Sequence, residues 1–192
     1  MLQILSKIFS DARYRNINDQ IVKWSSSFGI DQLSAGWVGS DRLESDFVDS
    51  TLNKSLSLAL AGLGSKQALT MLVQLFLSNE GDMILIEEPE INLHPEAQIT
   101  LPSLFTETIR AGKNLVMTTH TEFLILAFSK PIREGALNRN DLGIYNLEKT
   151  KNGTQIKRLA IAENGYIENW IPSFTRVESE LLNEFLKSVP EE

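Results

Sequence analysis

Two adjacent carboxylates, Glu87 and Glu88, follow directly on the apolar run MILI in the segment MILIEEPE. Acids at the end of a buried strand cost free energy unless a cation, a hydrogen-bond donor or a water network meets them. A nucleoside-triphosphate hydrolase divides labour across such a pair. The first acid holds Mg²⁺, often through water, and the second orients and deprotonates the attacking water. The plain alternative is an acidic strand-to-helix loop with no chemical task. Glu90, behind Pro89, is expected to face solvent. The chain has two histidines, His94 and His120. His120 follows the apolar run NLVMTT, where a ring nitrogen could donate to a γ-phosphate or hold the attacking water, or simply serve as a structural hydrogen-bonder. His94, in INLHP, is expected to shape the loop ahead of Pro95. A zinc site built from both histidines and a glutamate is a weaker reading, because the spacing fits none of the usual zinc patterns.

A third segment, AGLGSKQALTMLVQLFL, offers an anion site. Gly62 and Gly64 free the backbone, Ser65 can cap, and an apolar helix is predicted from about Lys66 to Leu77. A glycine-rich turn at a helix N-terminus presents unpaired N–H groups and the positive end of the dipole to a phosphate. Standing alone, the same residues read better as a flexible loop ahead of a core helix. The phosphate-cradling pattern G-x-x-x-x-G-K-[ST] does not occur in these residues. RAGKN at 110–114 contains Gly-Lys, but Glu107 stands at the first glycine position and Asn114 at the hydroxyl position.

The elements that must position these groups are legible around them. MILIE at 83–87 reads as a short buried strand, and NLVMTT at 114–119 as a second. Between them Pro95 can open a helix running to about Arg110–Ala111, with Pro102 as a kink and Gly112 as its end. Strand, helix, strand with connections this short is a βαβ unit, whose strands are parallel and whose carboxyl ends share one sheet edge. Ligands bind at that edge in open α/β folds, so Glu87, Glu88 and His120 should converge there. Residues 1–33 read as short helices, with Ile21, Trp24 and Phe28 on one face, and 35–60 as strands with a turn near Ser50–Lys54. LGIYNLEK and TQIKRLAI form a hairpin around Asn152-Gly153. A C-terminal helix follows, with a Thr175/Glu178 capping box and an apolar stripe of Val177, Leu181, Leu182, Phe185, Leu186 and Val189.

Composition narrows the function classes. At 192 residues, 42% apolar and 22% charged, the chain is ordinary globular material. The absence of cysteine excludes disulfides, thiol catalysis and thiolate zinc sites. A net charge of -7 suits no protein that grips nucleic-acid phosphates over its whole surface. Seven basic against three acidic residues at 130–158 are the only pointer to nucleic acid, and a solvated face is the better reading of them. With no apolar run of membrane length and no secretory leader, a cytoplasmic protein is expected.

In their order and spacing the three motifs resemble the second half of an ABC-type ATPase, the class that includes SMC and RecF. The likeness is greatest to the stand-alone ATPases grouped with the AAA-like ABC domains and the OLD family. GLGSKQ resembles the signature loop, which makes Gly62, Gly64, Ser65 and Gln67 contacts to nucleotide held by the opposite subunit. MILIEE resembles Walker B, making Glu87 the Mg²⁺-side acid and Glu88 the catalytic base. INLHP stands at the D-loop, with Asn92, Leu93 and His94, and TTH makes His120 the switch histidine. The likeness covers residues 55–130; beyond them it is one of general shape. Many ABC proteins have aspartate at the Glu87 position and LSGGQ at the signature, and these departures point to the RecF-like branch.

The P-loop and Q-loop of such a protein would lie upstream of Met1. The resemblance therefore implies an α/β, P-loop NTPase-like C-terminal portion: a parallel βαβ core with flanking helices, then a β-hairpin and a helix. Residues 1–54 would be the helical and β lead-in from an arm subdomain, 55–130 the ATPase core half, and 131–192 the extension. It implies ATP and Mg²⁺ as ligands and, as partner, a P-loop-bearing half or a full-length ATPase subunit in a homo- or heterodimer. Completed in this way, the chain would hydrolyse ATP to ADP and phosphate. Alone it should be inactive, with an open sheet edge and an uncovered apolar face. The alternatives are a non-catalytic dimerisation module of such an ATPase and, less well supported, a metal-dependent hydrolase or nuclease using Glu87, Glu88, Glu90 and the histidines. A nuclease needs no GLGSKQ.

Overall fold

The computed structural model describes residues 1–168 and 170–187, with the backbone alone over 172–178. The chain divides into two units, Met1–Ala127 and Phe128–Glu192.

The first unit opens with α1 (Leu2–Ser10) and α2 (Arg15–Ser25), followed by β1 (Asp31–Val38), β2 (Arg42–Asp49) and β3 (Lys54–Ser57). The strands form an antiparallel sheet in the order β1-β2-β3. Its core joins Leu5 and Ile8 of α1, Ile21 of α2, Leu33 and Phe47 of the strands, and Leu69 and Val73 of α3 (Leu63–Leu77). Ile21 and Trp24 of α2 are buried, as is Phe28 in the 3₁₀ turn that follows it. The turn after β2 forms because the Asp49 carboxylate accepts from the backbone N–H groups of Thr51 and Leu52 at 2.9 and 2.8 Å.

β4 (Met83–Glu87) pairs in parallel with β5 (Asn114–Thr118), from Met83↔Asn114 to Glu87↔Thr118. One sheet face is covered, with Ile84 buried, while α5 (Leu101–Arg110) buries Leu101, Leu104, Phe105 and Thr108. The opposite face corrects the expectation of a wholly buried strand. Met83, Leu85 and Val116 stand there 68%, 72% and 53% exposed. The connection is also not one kinked helix. α4 (Pro95–Gln98) stops after four residues, and α5 starts afresh at Leu101 with Pro102 in its first turn. Proline has no N–H to donate and its ring displaces the carbonyl four residues back, so the first helix ends ahead of it. Gly112 closes α5 at φ +77°, a conformation that favours glycine. α6 (Glu122–Ala127) completes the unit.

The second unit contains α7 (Ser129–Arg133), the antiparallel hairpin of β6 (Ile144–Thr150) and β7 (Gly153–Leu159), and α8 (Pro172–Lys187). Lys151 and Asn152 make the hairpin turn, with Gly153 opening β7 at φ +118°. Leu181, Leu182 and Leu186 of α8 are exposed. The side chains of the expected capping box, Thr175 and Glu178, and of the stripe position Val177 are not described, and Val189 lies outside the described residues. No described helix is long and apolar enough to cross a membrane.

Candidate functional site

The parallel pairing of β4 with β5 sets the acids beside the histidine. The ladder runs one residue past the strand, where the Glu88 N–H donates to the Thr118 carbonyl at 3.1 Å. Glu88 then turns into the left-handed region at φ +43°, a conformation uncommon for a residue with a side chain and one that clusters at functional sites. His120 Nε2 lies 3.5 Å from Glu88 Oε1, with the Glu88 side chain 39% exposed. Glu87 is exposed on the same sheet face as Leu85, and among the described residues its side chain has no hydrogen-bond or ion-pair partner. Glu88 and His120 thus meet at one strand edge, with Glu87 just before Glu88, at the end of β4.

Glu90 does not face solvent, contrary to the sequence-based expectation. It is 6% exposed, and its Oε1 accepts from the Thr119 hydroxyl at 2.6 Å and from the His120 N–H at 3.2 Å. Its Oε2 is buried and has no hydrogen-bond partner among the described residues. The tight turns after the strand, with Ile91 N–H on the Glu88 carbonyl and Leu93 N–H on the Glu90 carbonyl, point this side chain inward. Sequence reasoning set Glu90 in solvent and gave Thr119 and Gln98 no part in holding it. The signal that could have found them is Thr119-His120-Thr121, hydroxyls flanking the histidine one strand away.

The glycine-rich turn and the INLHP loop meet closely. The α3 helix starts at Leu63 rather than Lys66, with Gly62 as its N-cap, so Gly64 and Ser65 lie in the first turn and Ser65 makes no side-chain cap. Gly64 is therefore needed for close approach: a Cβ there would stand 2.2 Å from the Asn92 carbonyl oxygen. Asn92, at φ +59°, donates its side-chain N–H to Gln67 Oε1 at 3.0 Å. Leu93 holds the other side, its carbonyl accepting from Gln98 Nε2 at 2.9 Å. His94 caps α4, with Nδ1 accepting from the Glu96 N–H at 3.4 Å, which is the loop-shaping role expected of it. No acidic side chain occupies the first turn of α3, so its dipole end is free to meet an anion.

Between α3 and β4 runs an open groove of about 600 Å³, lined by Gln67, Met71 and Gln74 on one side and by Leu85, Glu87 and Glu88 on the other. The structure thus brings Glu88 to His120, and Gly64 and Gln67 to Asn92, as two clusters. Among the described residues no three His, Asp or Glu side chains converge as a metal-ligand set.

Residues 2–125 match the AAA ATPase domain, which is about two thirds of the chain. The chain belongs to the AAA ATPase domain family. Its fold is similar to that of SMC heads. One is an SMC ATPase studied for ATP-driven dimerization and DNA-stimulated activation, at TM-score 0.52 and 11% identity over 87% of this chain and 93% of that one. A second is the SMC head domain from Thermotoga maritima, at TM-score 0.50 and 14% identity, covering 83% and 52%. A third is an Smc head bound to the C-terminal winged-helix domain of ScpA, at TM-score 0.53 and 12% identity, covering 83% and 49%. The chain spans nearly all of the first of these and about half of the other two. No curated protein matches it in sequence. By family it is thus an AAA ATPase domain, and its α/β fold is that of SMC heads.

Proposed function

We propose that this chain is the signature-bearing, catalytic-acid half of an ABC-type ATPase, hydrolysing ATP to ADP and phosphate when joined by a P-loop-bearing half. The observation that carries this reading is the Glu88–His120 contact of 3.5 Å at the shared strand edge. Glu88 is the base that takes a proton from the attacking water, and His120 steadies that carboxylate and the departing phosphate. The Glu87 side chain is exposed and has no hydrogen-bond partner among the described residues, and its hard oxygen donors fit Mg²⁺, which it would hold. When bound, the ion neutralises phosphate charge. Ser65, in the first turn of α3, would meet the γ-phosphate of nucleotide held on the opposite subunit, with Gly62, Gly64 and Gln67 shaping that turn. Asn92, Leu93 and His94 form the loop that ties this turn to the acids.

The partner follows from what these residues do not offer. Tight ATP binding in P-loop enzymes rests on backbone N–H groups wrapped around the β-phosphate and on a lysine reaching the β- and γ-phosphates. G-x-x-x-x-G-K-[ST] does not occur here, and the carboxylates repel a free polyphosphate. The P-loop half, on the same polypeptide or another, would continue the sheet and cover Met83, Leu85 and Val116. Residues 55–130 carry the site, and ATP-driven dimerization of the SMC neighbour supports a homo- or heterodimer.

Titration calorimetry tests this reading. Mg²⁺–ATP should give no binding heat with the purified chain alone, and micromolar binding with a P-loop half added. Micromolar affinity without a partner would sink it.

A further inference from the structure

Glu90 is a buried carboxylate that the proposed chemistry does not use. Burying a charged group with one oxygen unpartnered is costly, so an apolar side chain of similar size would serve the core better. What the carboxylate provides is a link. From Glu90 a closed ring of hydrogen bonds joins three segments. Its Oε1 accepts from Thr119 Oγ1, which in turn accepts from the Thr121 N–H at 3.1 Å. Thr121 Oγ1 reaches Gln98 Oε1 at 3.4 Å, Gln98 Nε2 donates to the Leu93 carbonyl, and the Leu93 N–H returns to the Glu90 carbonyl at 3.0 Å. Next to Leu93 in the chain, Asn92 bonds Gln67 of α3. A second bond from the carboxylate fixes the His120 backbone directly.

We infer that Glu90 is a positioning residue: through its bonds to Thr119 and the His120 N–H it holds the His120 imidazole against Glu88. This deepens the ATPase reading and rests on it for the consequence in turnover, while the link itself is a property of the chain alone. His120 is 86% exposed at its side chain, so packing does little to fix the ring. Its backbone anchor is Glu90.

Two measurements test the link. The first is amide hydrogen exchange in the purified chain. Hydrogen bonds to charged acceptors are strong enough that losing one should speed exchange at the His120 N–H about tenfold or more in Glu90→Met. Glu90→Gln keeps an oxygen acceptor and should stay within about threefold of the parent. Thr119→Val, which removes the hydroxyl at nearly constant shape, should loosen the same amide and replaces Glu90→Met if that variant does not fold. Unchanged protection at His120 overturns the inference. So does equal loss of protection at every amide of β4 and β5, which would mark Glu90 as merely structural. The second measurement is steady-state ATP turnover with a P-loop half. Glu90→Met should lower kcat about tenfold or more, leave KM for ATP within about twofold, and be largely rescued by Glu90→Gln. A change in KM alone overturns it. If the parent complex does not hydrolyse ATP, the ATPase reading fails, and His120 exchange still decides the link.

Discussion

Replacing Gly64 by alanine sets two effects of comparable size against each other. Alanine is the better helix former, worth up to about 1 kcal/mol over glycine inside a helix. Against this, the new Cβ would stand 2.2 Å from the Asn92 carbonyl oxygen, 2.8 Å from its carbon and 3.3 Å from Leu93 Cδ2. The obstacle is backbone, which cannot rotate away, so the INLHP loop must move by about 1 Å at an overpacking cost of about 1–3 kcal/mol or more. That movement also breaks the Asn92–Gln67 bond, worth about another 1 kcal/mol. The balance is a loss of about 1–3 kcal/mol, or about 3–10 °C in Tm for a chain of this size. Urea unfolding followed by circular dichroism measures it. Gly62→Ala is the control: its nearest neighbour would be Ser65 Oγ at 3.8 Å, and its cost should be below about 1 kcal/mol, the difference between glycine and alanine as an N-cap. A stabilised Gly64→Ala would refute the close approach of the turn and the loop.

Ser65→Arg, which fills the proposed γ-phosphate space, should abolish ATP-dependent association with a P-loop half in sedimentation while leaving the circular dichroism spectrum intact. Leu85→Lys changes a side chain that is 72% exposed, so it should alter the stability of the isolated chain by no more than about 0.5 kcal/mol. The same substitution should weaken assembly with the P-loop half, and equal affinity would show that this face stays uncovered. At the α1–α2 junction, Arg13 binds both oxygens of Asp11, down to 2.6 Å. Its side-chain hydrogen bonds, then its backbone N–H, lower the carboxyl from 3.8 to about 2. A depressed folded-state value means the stabilisation is present above pH 3.8 and is lost as pH falls through about 2. Carbon-detected NMR should find that midpoint in the parent and a return toward the ordinary value in Arg13→Ala.

Much of this was legible in the sequence because it rests on local chemistry. Apolar runs of strand length on either side of a proline-initiated helix leave few arrangements other than a βαβ unit, and that unit carries Glu88 to His120 from 32 residues away. The break between α4 and α5 was harder to read, since Pro102 is compatible with a kink as well as a restart and only the surrounding packing decides. Gly64 was noted for backbone freedom, but its helical conformation is ordinary and its requirement comes from Asn92, a contact between segments that no local pattern encodes. Glu90 was illegible for the same reason. A glutamate after a proline in a loop is usually solvated, and its partners arrive only once β5 is paired. The exposure of Met83 and Leu85 follows from the open groove between their sheet face and α3, a matter of packing between elements that strand composition does not reveal.

The central claim is that Glu88 activates the attacking water in a complex completed by a P-loop half. ATP turnover by that complex, measured as phosphate release for the parent and for Glu88→Gln, tests it most directly. A positioned general base contributes about 10²–10⁴-fold, so Glu88→Gln should fall by at least about a hundredfold while ATP still drives association. Turnover at the parent rate in Glu88→Gln would contradict it.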